Sequence, residues 1–151
     1  MTLLLLAAVV TTLPPVLTCD NKPVLMVVTG VSIDRQRMAA YAKALANSGL
    51  YQKLGGYYLN ALPLIETFEG NPPPHYATIV VRFPCLANAR AFWHSEDYQK
   101  LVKPLRMNPS AGDYTITVYN EAALRADMVG KVGSADYLAQ FRAEGIAQVA
   151  P

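Results

Sequence analysis

A chain of 151 residues with 52% hydrophobic and only 16% charged residues can bury one real core and is most simply built around a single folded body. Its net charge is +2 and its basic residues are scattered, so nothing marks a nucleic-acid-binding surface. Two cysteines, Cys19 and Cys85, do not make a disulfide scaffold, and His75 and His94 are too few and too far apart for a zinc motif.

Residues 1–22 come first. The apolar run Leu3–Val10 has the length of a signal-peptide core and is too short to span a bilayer, so no integral membrane span is expected. No Lys or Arg precedes it, and Val16-Leu17-Thr18-Cys19 is a poor lipoprotein box. The stretch reads equally as a cleaved signal of a secreted protein or as an apolar arm of a cytoplasmic one. Pro14-Pro15 excludes one continuous helix through it.

The body, residues 23–120, opens with Val24–Thr29, a continuous apolar strand expected at the centre of a sheet, covered on both faces and ended by Gly30. Ser32 is the expected N-cap of a helix, with Asp34 in its first turn. Met38, Tyr41 and Leu45 form its buried stripe, and Gly49 follows its last turn. Gly55-Gly56 permits a tight turn or a close backbone approach and is not a phosphate loop, because the Lys-Ser/Thr signature and following helix are missing. Tyr57–Leu62 predicts a second strand, bent at Pro63 and continuing extended through Leu64–Glu69. Asn71-Pro72-Pro73-Pro74 is a loop, with His75 at its end. Thr78–Val81 is a third strand, stopped at Phe83-Pro84. A helix from about Leu86 to Leu101 follows, placing His94 and Tyr98 on one face and pairing Glu96 with Lys100. Pro104 closes it. Asp113–Asn120 alternates, with Tyr114, Ile116 and Val118 on one side and Thr115, Thr117 and Tyr119 on the other. The order is β-α-β-β-α-β, an α+β arrangement with both helices on one face of the sheet. Self-association of two sheets would cover the other face. Residues 121–151 add a helical extension: an Ala-rich helix, Glu121–Met128, then a segment capped by Ser134 with Tyr137, Leu138 and Phe141 on one side.

Residues 24–120 resemble the DUF1330 family, a domain of unknown function within the dimeric α/β-barrel superfamily. The resemblance is carried by Lys53-Leu54-Gly55-Gly56-Tyr57-Tyr58, by Ile65-Glu66-Thr67-Phe68-Glu69-Gly70, and by Val80-Val81-Arg82-Phe83-Pro84 running into Ala87–Tyr98. It implies a ferredoxin-like protomer that dimerises sheet to sheet, with pockets between helices and sheet as in the superfamily's polyketide cyclases, cofactor-free monooxygenases, dehydratases and haem-degrading enzymes. Arg82 and His94 depart from the family pattern, which has acidic or polar residues there. They suit an anionic or enolate-forming ligand better than a cationic one.

His94 is the expected acid–base group, because an imidazole exchanges protons at around neutral pH. Tyr98 would orient it, and Arg82 would polarise an oxygen unless a carboxylate such as Glu66 or Glu69 pairs with it. Met38, Tyr41, Tyr57, Tyr58, His75 and Trp93 are the candidate substrate contacts. Cys85 reads as a buried thiol or a nucleophile. With no nucleotide fingerprint and no metal-ligand spacing, the expected activity is cofactor-independent. The substrate would be an apolar, carbonyl-containing metabolite of polyketide or terpenoid type, undergoing cyclisation, isomerisation or elimination. The alternative is a non-catalytic small-molecule-binding or stress-related homodimer.

Overall fold

Strand β1, Val24–Ser32, is paired on both edges, as its apolar run predicts. The computed structural model describes residues 18–60, 62–123 and 126. The chain divides into two units, Met1–Glu121 and Ala122–Pro151, and every element below belongs to the first. The N-terminal run Leu3–Val10 lies outside the described residues, as does the segment from Ser134 to Phe141. No helix starts at Glu121, since 121–123 are irregular.

After β1 come helix α1, Arg35–Ser48, the short helix α2, Leu50–Leu54, and the two-residue strand β2, Tyr57–Tyr58. Strand β3, Tyr76–Phe83, leads into helix α3, Leu86–His94. A π-helical turn, Asp97–Val102, and a 3₁₀ turn, Lys103–Arg106, connect α3 to strand β4, Gly112–Asn120. The four strands form one open antiparallel sheet in the order β2-β3-β1-β4. The fold is therefore α+β.

Register decides which side chains share a face. Val24 and Met26 lie opposite Phe83 and Val81, and Val28 lies opposite Ile79 and Ile116. Residues one step along point the other way: Leu25 is opposite Arg82 and Tyr119, and Val27 opposite Val80 and Thr117. Val24, Met26, Val81 and Phe83 are buried with Leu45, Leu50, Ala89, Phe92, Tyr98 and Val102, so this is the face that carries the helices and the core. An aromatic ladder runs through it. Tyr51 stacks on Phe92 at 4.8 Å, and Phe92 meets Phe83 at 5.6 Å and Tyr98 at 4.8 Å.

Several boundaries differ from the sequence expectation for identifiable reasons. Gly30 does not end β1. It sits where β1 passes so close to β4 that a Cβ would overlap the Asp113 carbonyl, so glycine permits the pairing to continue to Ser32. Asp34, not Ser32, caps α1 by accepting the Arg37 amide at 3.0 Å, while the Ser32 hydroxyl bonds Tyr114 at 2.6 Å. Strand β2 is only two residues long. Asn60 takes over the edge of β3 by bonding the Thr78 carbonyl and the Val80 amide, and Leu62–Phe68 runs exposed instead of pairing.

The helix expected from Leu86 to Leu101 is broken at Ser95, whose backbone is extended. The Ser95 side chain bonds back to the Phe92 carbonyl at 2.9 Å and accepts the Tyr98 amide at 3.1 Å. It thereby closes one helix and caps the next turn. Pro104 sits at the start of the 3₁₀ turn, where its missing N–H costs nothing.

Candidate functional site

The cleft that joins most of α3 to the sheet is the best-formed candidate. Met26 of β1 with Ile116 and Val118 of β4 form its floor. Leu86, Ala89, Arg90, Trp93 and His94 of α3 form its wall, beside an open space of about 280 Å³. The floor is apolar because these three residues alternate onto the helix-bearing face at the edge farthest from β2. The rim is polar because Arg90, which carries a positive charge, and His94 are one turn apart on α3. Among the described residues no carboxylate lines the cleft. Trp93 is fixed from two sides, by the Tyr98 ring at 5.2 Å and by the Lys103 ammonium 5.3 Å above its centroid.

A larger cavity of about 540 Å³ lies at the β2 edge, lined by Leu62, Leu64, Glu66, Glu69, Tyr76 and Thr78 among others. Its walls come mainly from the exposed 60–73 segment, and it takes in none of the candidate site residues. Volume alone does not outweigh the rigid elements and convergent polar groups of the α3 cleft.

The expected site residues do not come together in one place. His94 and Trp93 share the α3 cleft. Arg82 projects from the opposite sheet face. It bonds Glu121 through Nε at 2.9 and 3.0 Å and through Nη2 at 2.7 Å. Its carboxylate partner is thus Glu121, not Glu66 or Glu69. The Glu121 hydrogen bond raises the Arg82 pKa, and the same bond lowers that of Glu121. Tyr57 lies directly opposite Arg82 on that outer face, while Tyr58 points to the other side, 5.2 Å from the Tyr51 ring. Tyr41, Tyr57 and Tyr58 therefore do not line one cavity with Arg82.

Tyr98 and Tyr41 stand together elsewhere. The break at Ser95 turns Tyr98 into the core while His94 stays exposed, so the two do not share a helix face. The Tyr98 hydroxyl meets that of Tyr41 at 3.2 Å and accepts from Arg106 at 3.4 Å. Arg106 is buried with its guanidinium 5.4 Å above the Tyr41 ring. Burial pushes the Tyr41 phenol well above its ordinary value, and Tyr98 adds to the shift. Burial also works against the charge of Arg106, but the hydrogen bond to Tyr98 offsets it and the net shift is upward. This is a structural knot tying α1 to the two turns after α3. Met38 is half-buried on α1, and His75 is exposed in the loop before β3 with a positive φ of 63°.

Sequence reasoning passed over Arg90 and Arg106. Arg90 was legible, since it stands four residues before His94. Arg106 was not, because its partners come from separate elements. Ser95-Glu96-Asp97 also carried a signal, a cap residue followed by two acids at the start of a helical turn.

Cys85 is neither a free thiol nor a nucleophile, because Cys19 and Cys85 are joined in a disulfide. Among the described residues the one group of possible metal donors is Cys19, Asp20 and Cys85. With the two sulfurs bonded to each other, a single exposed carboxylate is left, which does not make a metal site. No helix among the described residues is long and apolar enough to cross a membrane.

The family model described as Domain of unknown function (DUF1330) matches residues 23–118, from the residue before β1 to nearly the end of β4. The chain belongs to the DUF1330 family. No curated protein matches it. Among solved structures, a protein of unknown function from Rhodopseudomonas palustris is similar with a TM-score of 0.54 at 14% identity, covering 70% of this chain and 86% of that one. A protein from Shewanella oneidensis has a TM-score of 0.41 at 14% identity, covering 69% of this chain and 95% of that one. The DUF1330 match takes in the α3 cleft and the Tyr41–Tyr98–Arg106 knot. It fixes a frame and leaves the chemistry to the side chains.

Proposed function

We propose that this DUF1330 protein binds a small, largely apolar carbonyl compound in the α3 cleft and acts on it by cofactor-independent acid–base chemistry, with His94 moving the proton. The observation that carries this reading is the apolar floor of Met26, Ile116 and Val118 beneath the Arg90–His94 rim. His94 supplies an imidazole, a side chain that can give or take a proton, and Arg90 supplies positive charge where an enolate oxygen would develop. Cyclisation, isomerisation and elimination all begin with such a proton transfer, and a polyketide- or terpenoid-like metabolite offers the required carbonyl. Arg82 and Tyr98 are not needed for it.

The strand order supports a ferredoxin-like protomer. The outer sheet face supports a homodimer: Leu25, Val27 and Val80 are half-buried there, between the exposed rings of Tyr57 and Tyr119.

One observation favours a second reading, a non-catalytic binding dimer. Among the described residues no carboxylate or hydroxyl of the cleft lining orients the His94 ring. The two readings separate in one experiment. Trp93 is the chain's single tryptophan and lines the cleft, so its fluorescence reports occupancy. The protein is incubated with apolar ketones and β-diketones in D₂O. Proton exchange α to the carbonyl is followed by NMR, alongside Trp93 quenching. Exchange above the buffer rate that is lost in His94→Ala supports the enzyme. Quenching with exchange at the buffer rate supports the binder, and no quenching by any compound refutes the cleft as a site.

A further inference from the structure

We infer that the molecule held in the α3 cleft carries a carboxylate, gripped at the rim by Arg90, with its apolar body on Met26, Ile116 and Val118. This rests on the proposal that the cleft is a ligand site, and it adds the ligand's charge and size.

Arg90 is exposed at the cleft mouth, and neither ion pair among the described residues involves it. Those pairs are Arg82 with Glu121, on the other sheet face, and Lys100 with Glu96 at 2.9 Å. The acids nearest in sequence after His94 do not line the cleft, and Glu96 is already engaged. The guanidinium fork is thus left with a pair of N–H donors for a planar, two-oxygen anion, its best-matched partner. His94, one turn further along, can donate an N–H to the same group whether neutral or charged. Lys103 adds a second positive charge, over the Trp93 ring. A cationic ligand would meet the like charge of Arg90, and no carboxylate among the described lining residues offsets it. A neutral one would leave the Arg90 fork without its best partner.

The volume sets the size. About 280 Å³ lies at the lower edge of small-molecule pockets, which run from roughly 300 to 1,000 Å³. That suits one or two fused rings or a short branched chain. The indole of Trp93 forms part of the wall, so an aromatic or unsaturated body fits better than a flexible saturated one.

The test uses matched pairs differing only in charge: benzoate with benzamide, and 2-naphthoate with 2-naphthamide. Each is titrated against the full-length protein and followed by Trp93 fluorescence. The carboxylates should bind at least about tenfold more tightly than the amides, the value of one charged hydrogen bond. Arg90→Gln should bring that ratio to within about twofold, chiefly by weakening the carboxylates. Arg90 is exposed, so this variant should keep the wild-type fold. Equal affinities for acid and amide would overturn the carboxylate inference and leave the cleft reading standing. Quenching by neither series would refute both. A preference for carboxylates that survives Arg90→Gln would remove Arg90 from the role.

Discussion

Breaking the Cys19–Cys85 bond should cost a large part of this protein's stability. The bond closes a loop with a sequence separation of 66 residues and has a Cα–Cα distance of 5.7 Å. That loop holds β1, α1, α2, β2 and β3, so opening it frees the whole first half of the body in the unfolded chain. The chain-entropy relation applied to this loop gives about 15 cal/mol/K, or about 4 kcal/mol at 25 °C. Domains of this size are stable by only about 5–15 kcal/mol. The cleanest perturbation is Cys19→Ser. It removes the cross-link from a half-buried position and leaves the buried Cys85 in place, so no cavity forms in the core. Urea unfolding of the full chain, followed by Trp93 fluorescence, gives the free energy directly. With a slope of about 2 kcal/mol/M, the midpoint should fall by about 2 M. Dithiothreitol should lower the wild-type midpoint to that of the variant and leave the variant unmoved. A wild-type midpoint that shifts by less than about 0.5 M under full reduction would refute the reasoning, because the loop would then not constrain the unfolded chain.

Two further expectations concern residues that sequence reasoning placed in the site. Tyr98→Phe removes the oxygen that accepts from Arg106 and meets Tyr41, so stability should drop by about 2 kcal/mol in urea unfolding. Ligand-induced Trp93 quenching should persist; its loss in a folded Tyr98→Phe protein would return Tyr98 to the site. Glu121→Gln should destabilise by about 1 kcal/mol at pH 7. Arg82 holds the Glu121 carboxyl below its ordinary value of 4.5, so this stabilisation is present above that pH and is lost as the pH falls through the lowered folded value. The gap between wild type and variant should close on acidification, and a gap that is the same at pH 7 and pH 3 would mean the ion pair is not its source.

Local pattern carried most of the architecture. The apolar run at Val24, the left-handed residue after α1 at Gly49, the alternation from Tyr114 to Tyr119 and the stop at Phe83-Pro84 each follow from what a few neighbouring residues require of the backbone. The α+β order followed from adding them up. The same local rules were weaker where two structures competed for one segment. Ser95 could be read as a residue within a helix, yet its side chain found better use capping the turn on either side. That single choice rotated Tyr98 away from His94 and dissolved the expected pair.

The site required information that no stretch of sequence holds. Whether Arg82 faces the helices or the open side depends on the register of β3 against β1, and its partner Glu121 arrives only after β4 has crossed the sheet. Cys19 and Cys85 meet because the turn before α3 folds back beside the chain entering β1. Arg90 and His94 acquire their apolar floor from β1 and β4, elements far away along the chain. Sequence by itself determined β1, β3, β4, the first helix and the start of α3, because those depend on neighbours along the backbone. Tertiary structure alone decided which groups stand together, because side-chain encounters between distant segments are fixed by register and packing.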